Sequence, residues 1–161
     1  MKYKYVKDLM TSPAVSCEDT TTIKSAIEIM KNENIGFLPI TKNNIAIGVI
    51  TDRDILIRGI GIYKLNTRIG KIMTDGEIHF VSPSTPLIDA AKIMADNKIR
   101  RLLVLNDGKI TGVITTKNML AEPSLLPYII KTYEKNSTLN YYSIYSNSNP
   151  HDSIKPADYP L

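Results

Sequence analysis

An internal duplication limits the possible folds of this chain more than any other feature. Met30 matches Met94, Ile35 matches Ile99, Gly48 matches Gly112 and Thr51 matches Thr115, each pair 64 positions apart. Met10-Thr11 matches Met73-Thr74 at a spacing of 63, so short insertions separate the opening loops. One offset kept across residues of such mixed chemistry marks a repeated structural unit.

The two copies carry the same pattern. Val15 and Val81 open short extended pieces that end in polar, turn-forming residues. Ile23, Ala26, Ile27 and Met30, then Leu87, Ala90, Ala91 and Met94, follow the i, i+3, i+4, i+7 spacing of one apolar helix face. Thr and Ser residues just upstream are suited to cap those helices. Phe37-Leu38-Pro39-Ile40 and Leu102-Leu103-Val104-Leu105 are buried-strand runs. Lys42-Asn43-Asn44 and Asn106-Asp107-Gly108 supply hairpin turns into returning strands at Ile45–Ile50 and Lys109–Ile114. A second short helix is expected from Thr51 and from Thr115. The unit is β-α-β-β-α, of the α/β (α+β) class. A three-stranded sheet with helices on one face leaves its other face bare, and two such units packed sheet to sheet bury it.

The organisation that follows is a first repeat at 5–58, a linker at 59–67 containing Gly59 and Gly61, a second repeat at 68–122, and a C-terminal extension at 123–161. Within the extension, Leu125–Lys135 suits a short helix interrupted or started by Pro127. Asn136–Asn149 is dominated by Ser, Asn, Thr and Tyr, and six of the nine tyrosines fall between Tyr128 and Tyr159. That composition suits a loosely ordered terminus or a tail docked on its own or a neighbouring subunit.

Composition narrows the function classes. No run approaches the roughly 18 apolar residues of a membrane span. MKYKYVKDLM has no apolar export core, and Cys17 has no internal disulfide partner, so a reducing cytoplasm is the expected location. A net charge of +4 suits an anionic small ligand or a partner surface. The pI of 9.1 alone would support nucleic-acid binding, but the lysines and arginines are scattered. His79, His151 and Cys17 make no metal-ligand spacing, and no catalytic set of Ser, His and Asp or of paired carboxylates is present.

The arrangement resembles the tandem cystathionine-beta-synthase-type (CBS) domain pair, or Bateman module. The residues that carry the resemblance are Met10-Thr11, Met73-Thr74, Val81-Ser82-Pro83, Ile99-Arg100-Arg101-Leu102 and Gly48-Val49-Ile50-Thr51-Asp52-Arg53-Asp54, over about residues 5–122. The resemblance implies a pseudo-two-fold pair with two clefts between the repeats. Such clefts commonly take AMP, ADP, ATP, S-adenosylmethionine or NAD-like ligands, and such pairs often stack into disc-shaped dimers.

Carried over residue by residue, the resemblance implies a main cleft in which Asp54 accepts from ribose hydroxyls, Thr51 holds a ribose or phosphate oxygen and Ile50 lies beside the base. Ile99, Arg100, Arg101 and Leu102 of the opposite repeat would complete it. A carboxylate suits a cis-diol because it accepts two donors at once, and arginine suits phosphate. Thr51 and Asp54 also read as a capping box, which is compatible with that role. Arg100 and Arg101 also read as a solvated strand edge. The second, weaker cleft would use Val15, Ile35, Gly36, Phe37 and Leu38 with Thr115, Lys117 and Asn118. Asn118 stands where the family pattern has the acid, and Gly36-Phe37 offers no cation. Arg53 and Lys117 occupy matching places on the second helices, as phosphate contacts or as ordinary exposed charges.

The leading expectation is a regulatory, non-enzymatic sensor of an adenosyl ligand, acting through a homodimer or an effector protein. Asn118 and Gly36-Phe37 favour a rival reading, an assembly module with vestigial clefts. Nucleic-acid binding ranks third and enzymatic activity last.

Overall fold

The computed structural model describes residues 1–76 and 78–134 of the 161. The Tyr-, Ser- and Asn-rich tail beyond them, with His151, lies outside the described residues.

The first repeat runs β1 (Cys17–Glu18), α1 (Ile23–Asn32), β2 (Phe37–Lys42), β3 (Ile45–Thr51) and α2 (Asp52–Asp54), which continues as a π-helical turn over Ile55–Gly59. The second runs β4 (Phe80–Val81), α3 (Leu87–Asn97), β5 (Arg101–Asn106), β6 (Lys109–Thr115) and α4 (Thr116–Met119). Helix α5 (Leu126–Tyr133) follows, with Pro127 in its first turn, where a missing N–H costs nothing. In each sheet the first strand pairs parallel and the third antiparallel to the central one. The sheets meet along β3 and β6. Strand β1 begins two residues after Val15, and β4 ends on Val81 rather than opening on it.

Local chemistry accounts for the repetition. Asn43 and Asn44 (φ 52° and 66°) and Asp107 and Gly108 (φ 49° and 74°) make two-residue turns of left-handed backbone, whose twist matches that of the flanking strands. Each hairpin shifts register at the same place, between Ile40 and Thr41 and between Val104 and Leu105. Ile23, Ala26 and Met30 of α1 and Leu87, Ala90, Ala91 and Met94 of α3 are buried. Among the described residues no helix is long and apolar enough to cross a membrane.

The two cores exchange their opening segments. Val6, from the opening of the first repeat, is fully buried in the core of the second. Ile69 and Ile72 sit in the core of the first. Thr11 exchanges backbone hydrogen bonds with Val113 on β6 (2.9 and 3.0 Å), and Thr74 does the same with Val49 on β3 (2.8 and 3.0 Å). The repeated glycines make room for this. A Cβ on Gly112 would stand 2.8 Å from the Thr11 carbonyl oxygen and 2.9 Å from Met10 Sδ, and one on Gly48 would meet Met73 Sδ and the Thr74 carbonyl at 2.6 and 2.9 Å.

The exchange also starts the helices. Thr22 caps α1 by accepting from the Ser25 N–H at 3.1 Å, but α3 follows Pro86 and has no side-chain cap. Instead the Leu87 N–H donates to the Lys4 carbonyl at 2.9 Å, as Ile23 N–H donates to Thr67.

Buried Glu122 fastens the N-terminal segment. Its carboxylate accepts from the Lys2 and Tyr3 N–H groups (2.8 and 3.3 Å) and from the Ser124 hydroxyl (2.8 Å). The Ser124 hydroxyl first, then those backbone donors, hold its pKa below the ordinary 4.5. A carboxyl depressed in the folded state stabilises above its unfolded pKa, and that stability is lost as pH falls through the folded value. Glu122→Gln is expected to lower the melting temperature at neutral pH. The gap from wild type should close in scans taken as pH falls through that folded value.

Candidate functional site

The strand-to-helix corners at Thr51 and Thr115 have the same local geometry and opposite surroundings. In the first repeat, the Thr51 N–H and hydroxyl both donate to Asp54 Oδ2 (2.9 and 2.7 Å), and the Asp54 N–H returns to Thr51 Oγ1 at 3.1 Å. The other oxygen, Oδ1, is taken by Arg58 at 2.9 Å, one helical turn on, and Arg58 also donates to Thr74 Oγ1 at 2.8 Å. Both oxygens of Asp54 are therefore engaged by the protein.

In the second repeat, the Thr115 N–H and hydroxyl donate to Asn118 Oδ1 (2.9 and 2.6 Å), and the Asn118 N–H returns to Thr115 Oγ1 at 3.1 Å. Two donors on one oxygen fix the orientation of the amide and leave Nδ2 as the free, donating end.

Two cavities flank these corners. The larger, about 640 Å³, is bounded by Val15, Ile35, Gly36 and Phe37 from the first repeat and by Thr115, Lys117 and Asn118 from the second. The smaller, about 270 Å³, lies between Thr51 and Val49 on one side and Ile78, His79, Lys98 and Ile99 on the other. Arg100 and Arg101 border both. The Arg101 guanidinium lies 5.3 Å from the centroid of the Phe37 ring, and that of Arg100 lies 5.7 Å from the Tyr133 ring. Burial lowers the pKa of Arg101, and the neighbouring Arg100 charge adds to this, while Asp52 works the other way. Arginine nonetheless stays charged in proteins, so this is an under-solvated cation that an anion would satisfy. Three cations and no carboxylate line the larger cavity.

Residues 6–60 and 69–124 each match the family described as the CBS domain. The chain belongs to the CBS domain family. The CBS domain-containing protein YhcV of Bacillus subtilis is 31% identical over 110 residues, covering 68% of this chain and 78% of that one. The CBS domain protein PAE2072 from Pyrobaculum aerophilum, solved in complex with AMP, superposes with a TM-score of 0.67 at 23% identity, over 78% of this chain and 98% of that one. The CBS domain pair of protein MJ0100, solved with 5-methylthioadenosine and S-adenosyl-L-methionine, gives 0.65 at 24% identity, over 74% and 95%. At these identities the structures show a shared fold.

Within this CBS pair, Val15, Ile35, Gly36 and Phe37 gather with Thr115, Lys117 and Asn118, whereas Leu38 is fully buried in the first core. Thr51, Ile99, Arg100 and Arg101 meet at the smaller cavity, but Ile50 and Leu102 are core residues and Arg53 is exposed on α2 away from both cavities. The Asp54 cleft was expected as the main one; the cavity at Thr115 and Asn118 is the larger of the two, and Asp54, paired with Arg58, borders neither. The i, i+4 spacing of Asp54 and Arg58 was the readable signal for that pairing. Thr11, Thr116 and Tyr133 also border the larger cavity and escaped sequence reasoning. Thr11 had a signal in the repeated Met-Thr, while Tyr133 had none.

A Cβ on Gly36 would lie 2.6 Å from Asp52 Oδ2, the end of an exposed side chain that can turn aside. Cys17 is buried, and desolvation pushes its thiol up, which suits a core residue and not a nucleophile. Among the described residues no three or more His, Cys, Asp or Glu gather to hold a metal.

Proposed function

We propose that this CBS pair is a regulatory module that binds a phosphate-bearing adenosyl ligand, AMP, ADP or ATP, in the Thr115–Asn118 cleft and signals to a homodimer partner or an effector protein. The observation that carries this reading is the 640 Å³ cavity, with apolar walls on one repeat and Arg100, Arg101 and Lys117 at its border. That volume is in the range of small-molecule sites, about 300–1,000 Å³, and the smaller cavity falls below it. Val15, Ile35 and Phe37 suit a base, the arginines suit phosphate, and Asn118 Nδ2 suits a ribose oxygen as donor rather than acceptor. The AMP complex of PAE2072 supports the ligand class. The adenosyl ligands of MJ0100 support the class more broadly.

The rival reading, assembly without a ligand, is favoured by Leu56, Ile57, Ile60, Ile62 and Leu65, all exposed within ten residues of chain. Exposed apolar surface of that kind marks interaction sites. Thermal shifts with AMP, ADP, ATP, S-adenosylmethionine and NAD separate the two. A cleft ligand at 100 times its dissociation constant should stabilise by about 2.7 kcal/mol. If none of the five moves the melting temperature, the sensor reading fails and the assembly reading stands.

A further inference from the structure

Helix α5 lies beyond the two matched repeats, which end at 124, yet its last residue borders the cleft. The Tyr133 hydroxyl is 3.0 Å from Thr116 Oγ1, and Arg100 rests against its ring. Thr116 is buried, follows the threonine that holds Asn118, and donates its N–H to the Arg100 carbonyl at 3.0 Å. Tyr133 therefore touches both sides of the cationic end of the cavity. Tyr133 as a whole remains 56% exposed, so a ligand in the cleft would cover area that water now reaches.

The helix is held firmly enough to transmit a displacement. Leu125 and Ile129 are buried in the core of the second repeat. Lys131 pairs with Asp96 at 2.8 Å, and Lys98 donates to the Lys131 carbonyl at 3.0 Å. Both of those partners belong to the α3 end that leads directly into Arg100 and Arg101. A phosphate that draws Arg100 into the cavity takes it from the Tyr133 ring, which rests at the point where the chain continues towards residue 161.

We propose that Tyr133 is a ligand-contacting residue of the cleft and that α5 responds to the cleft's occupancy. This rests on the nucleotide reading above. The test is calorimetric titration of the full chain with AMP, as wild type, Tyr133→Ala and Tyr133→Phe, with hydrogen exchange of the α5 amides at saturating AMP. Loss of the ring, with its contacts at the phosphate end of the cleft, is expected to weaken binding about ten-fold, the equivalent of about 1.4 kcal/mol. Tyr133→Phe keeps the ring and should stay within about three-fold. AMP should slow α5 exchange in wild type and leave it unchanged in Tyr133→Ala. Equal affinity in wild type and Tyr133→Ala, or α5 exchange indifferent to AMP that demonstrably binds wild type, overturns the proposal and leaves the nucleotide reading intact. Wild type that binds no AMP overturns both.

Discussion

Gly112→Ala is expected to destabilise the protein by about 3 kcal/mol, from overpacking and the loss of backbone hydrogen bonds. Gly76→Ala should stay within about 0.5 kcal/mol. Nothing lies within 4 Å of a Cβ built on Gly76, whereas one on Gly112 meets backbone at 2.8 Å. The Thr11 carbonyl cannot step aside without giving up its pairing with Val113, and that pairing carries the first repeat's opening segment onto the second repeat's sheet. Urea unfolding of the two variants checks this. A Gly112→Ala protein as stable as wild type would mean that the exchanged segment does not lie against β6.

The second large effect concerns affinity. Arg101→Ala is expected to weaken AMP binding about 30-fold, the equivalent of about 2 kcal/mol for a lost charge-assisted hydrogen bond. Adenosine, which has no phosphate, should lose much less. Arg101 opens β5 directly across from Thr115 on β6, whose hydroxyl holds Asn118 at the start of α4, so its guanidinium and the Asn118 amide border one cavity. Titrations with AMP and adenosine at two salt concentrations separate the contributions, because phosphate contacts weaken with ionic strength and base contacts do not. Equal losses for AMP and adenosine would assign Arg101 to the packing of Phe37 instead of to the phosphate.

Much of the fold was legible because repeated units repeat their chemistry. The apolar faces of α1 and α3 follow from helical spacing, and the turns at Asn43-Asn44 and Asp107-Gly108 follow from residues that tolerate positive φ. The exchange of opening segments was not legible. Met-Thr has no periodicity of its own, and its fit against Gly48 or Gly112 exists only once two distant segments meet. The start of α3 illustrates the same limit, since a carbonyl of Lys4 does there what Thr22 does for α1.

The candidate site was half legible. The residues around Thr115 and Asn118 were listed from the family resemblance, and the asymmetry between Asp54 and Asn118 was visible in the duplication. The partner that each side chain takes within the chain was not. A carboxylate attracts cations of its own chain as readily as ribose hydroxyls, and Arg58 reached it first. An amide draws no such counter-ion. Tyr133 depends on how α5 docks against α3, which is long-range packing that no local pattern encodes.

A crystal structure of the full chain grown with AMP tests the central claim most directly. The account predicts AMP in the larger cavity, its base against Val15, Ile35 and Phe37, its ribose within hydrogen-bond reach of Asn118, and its phosphate on Arg100 and Arg101. AMP seated instead against Thr51 and Asp54, with Arg58 displaced, would contradict it.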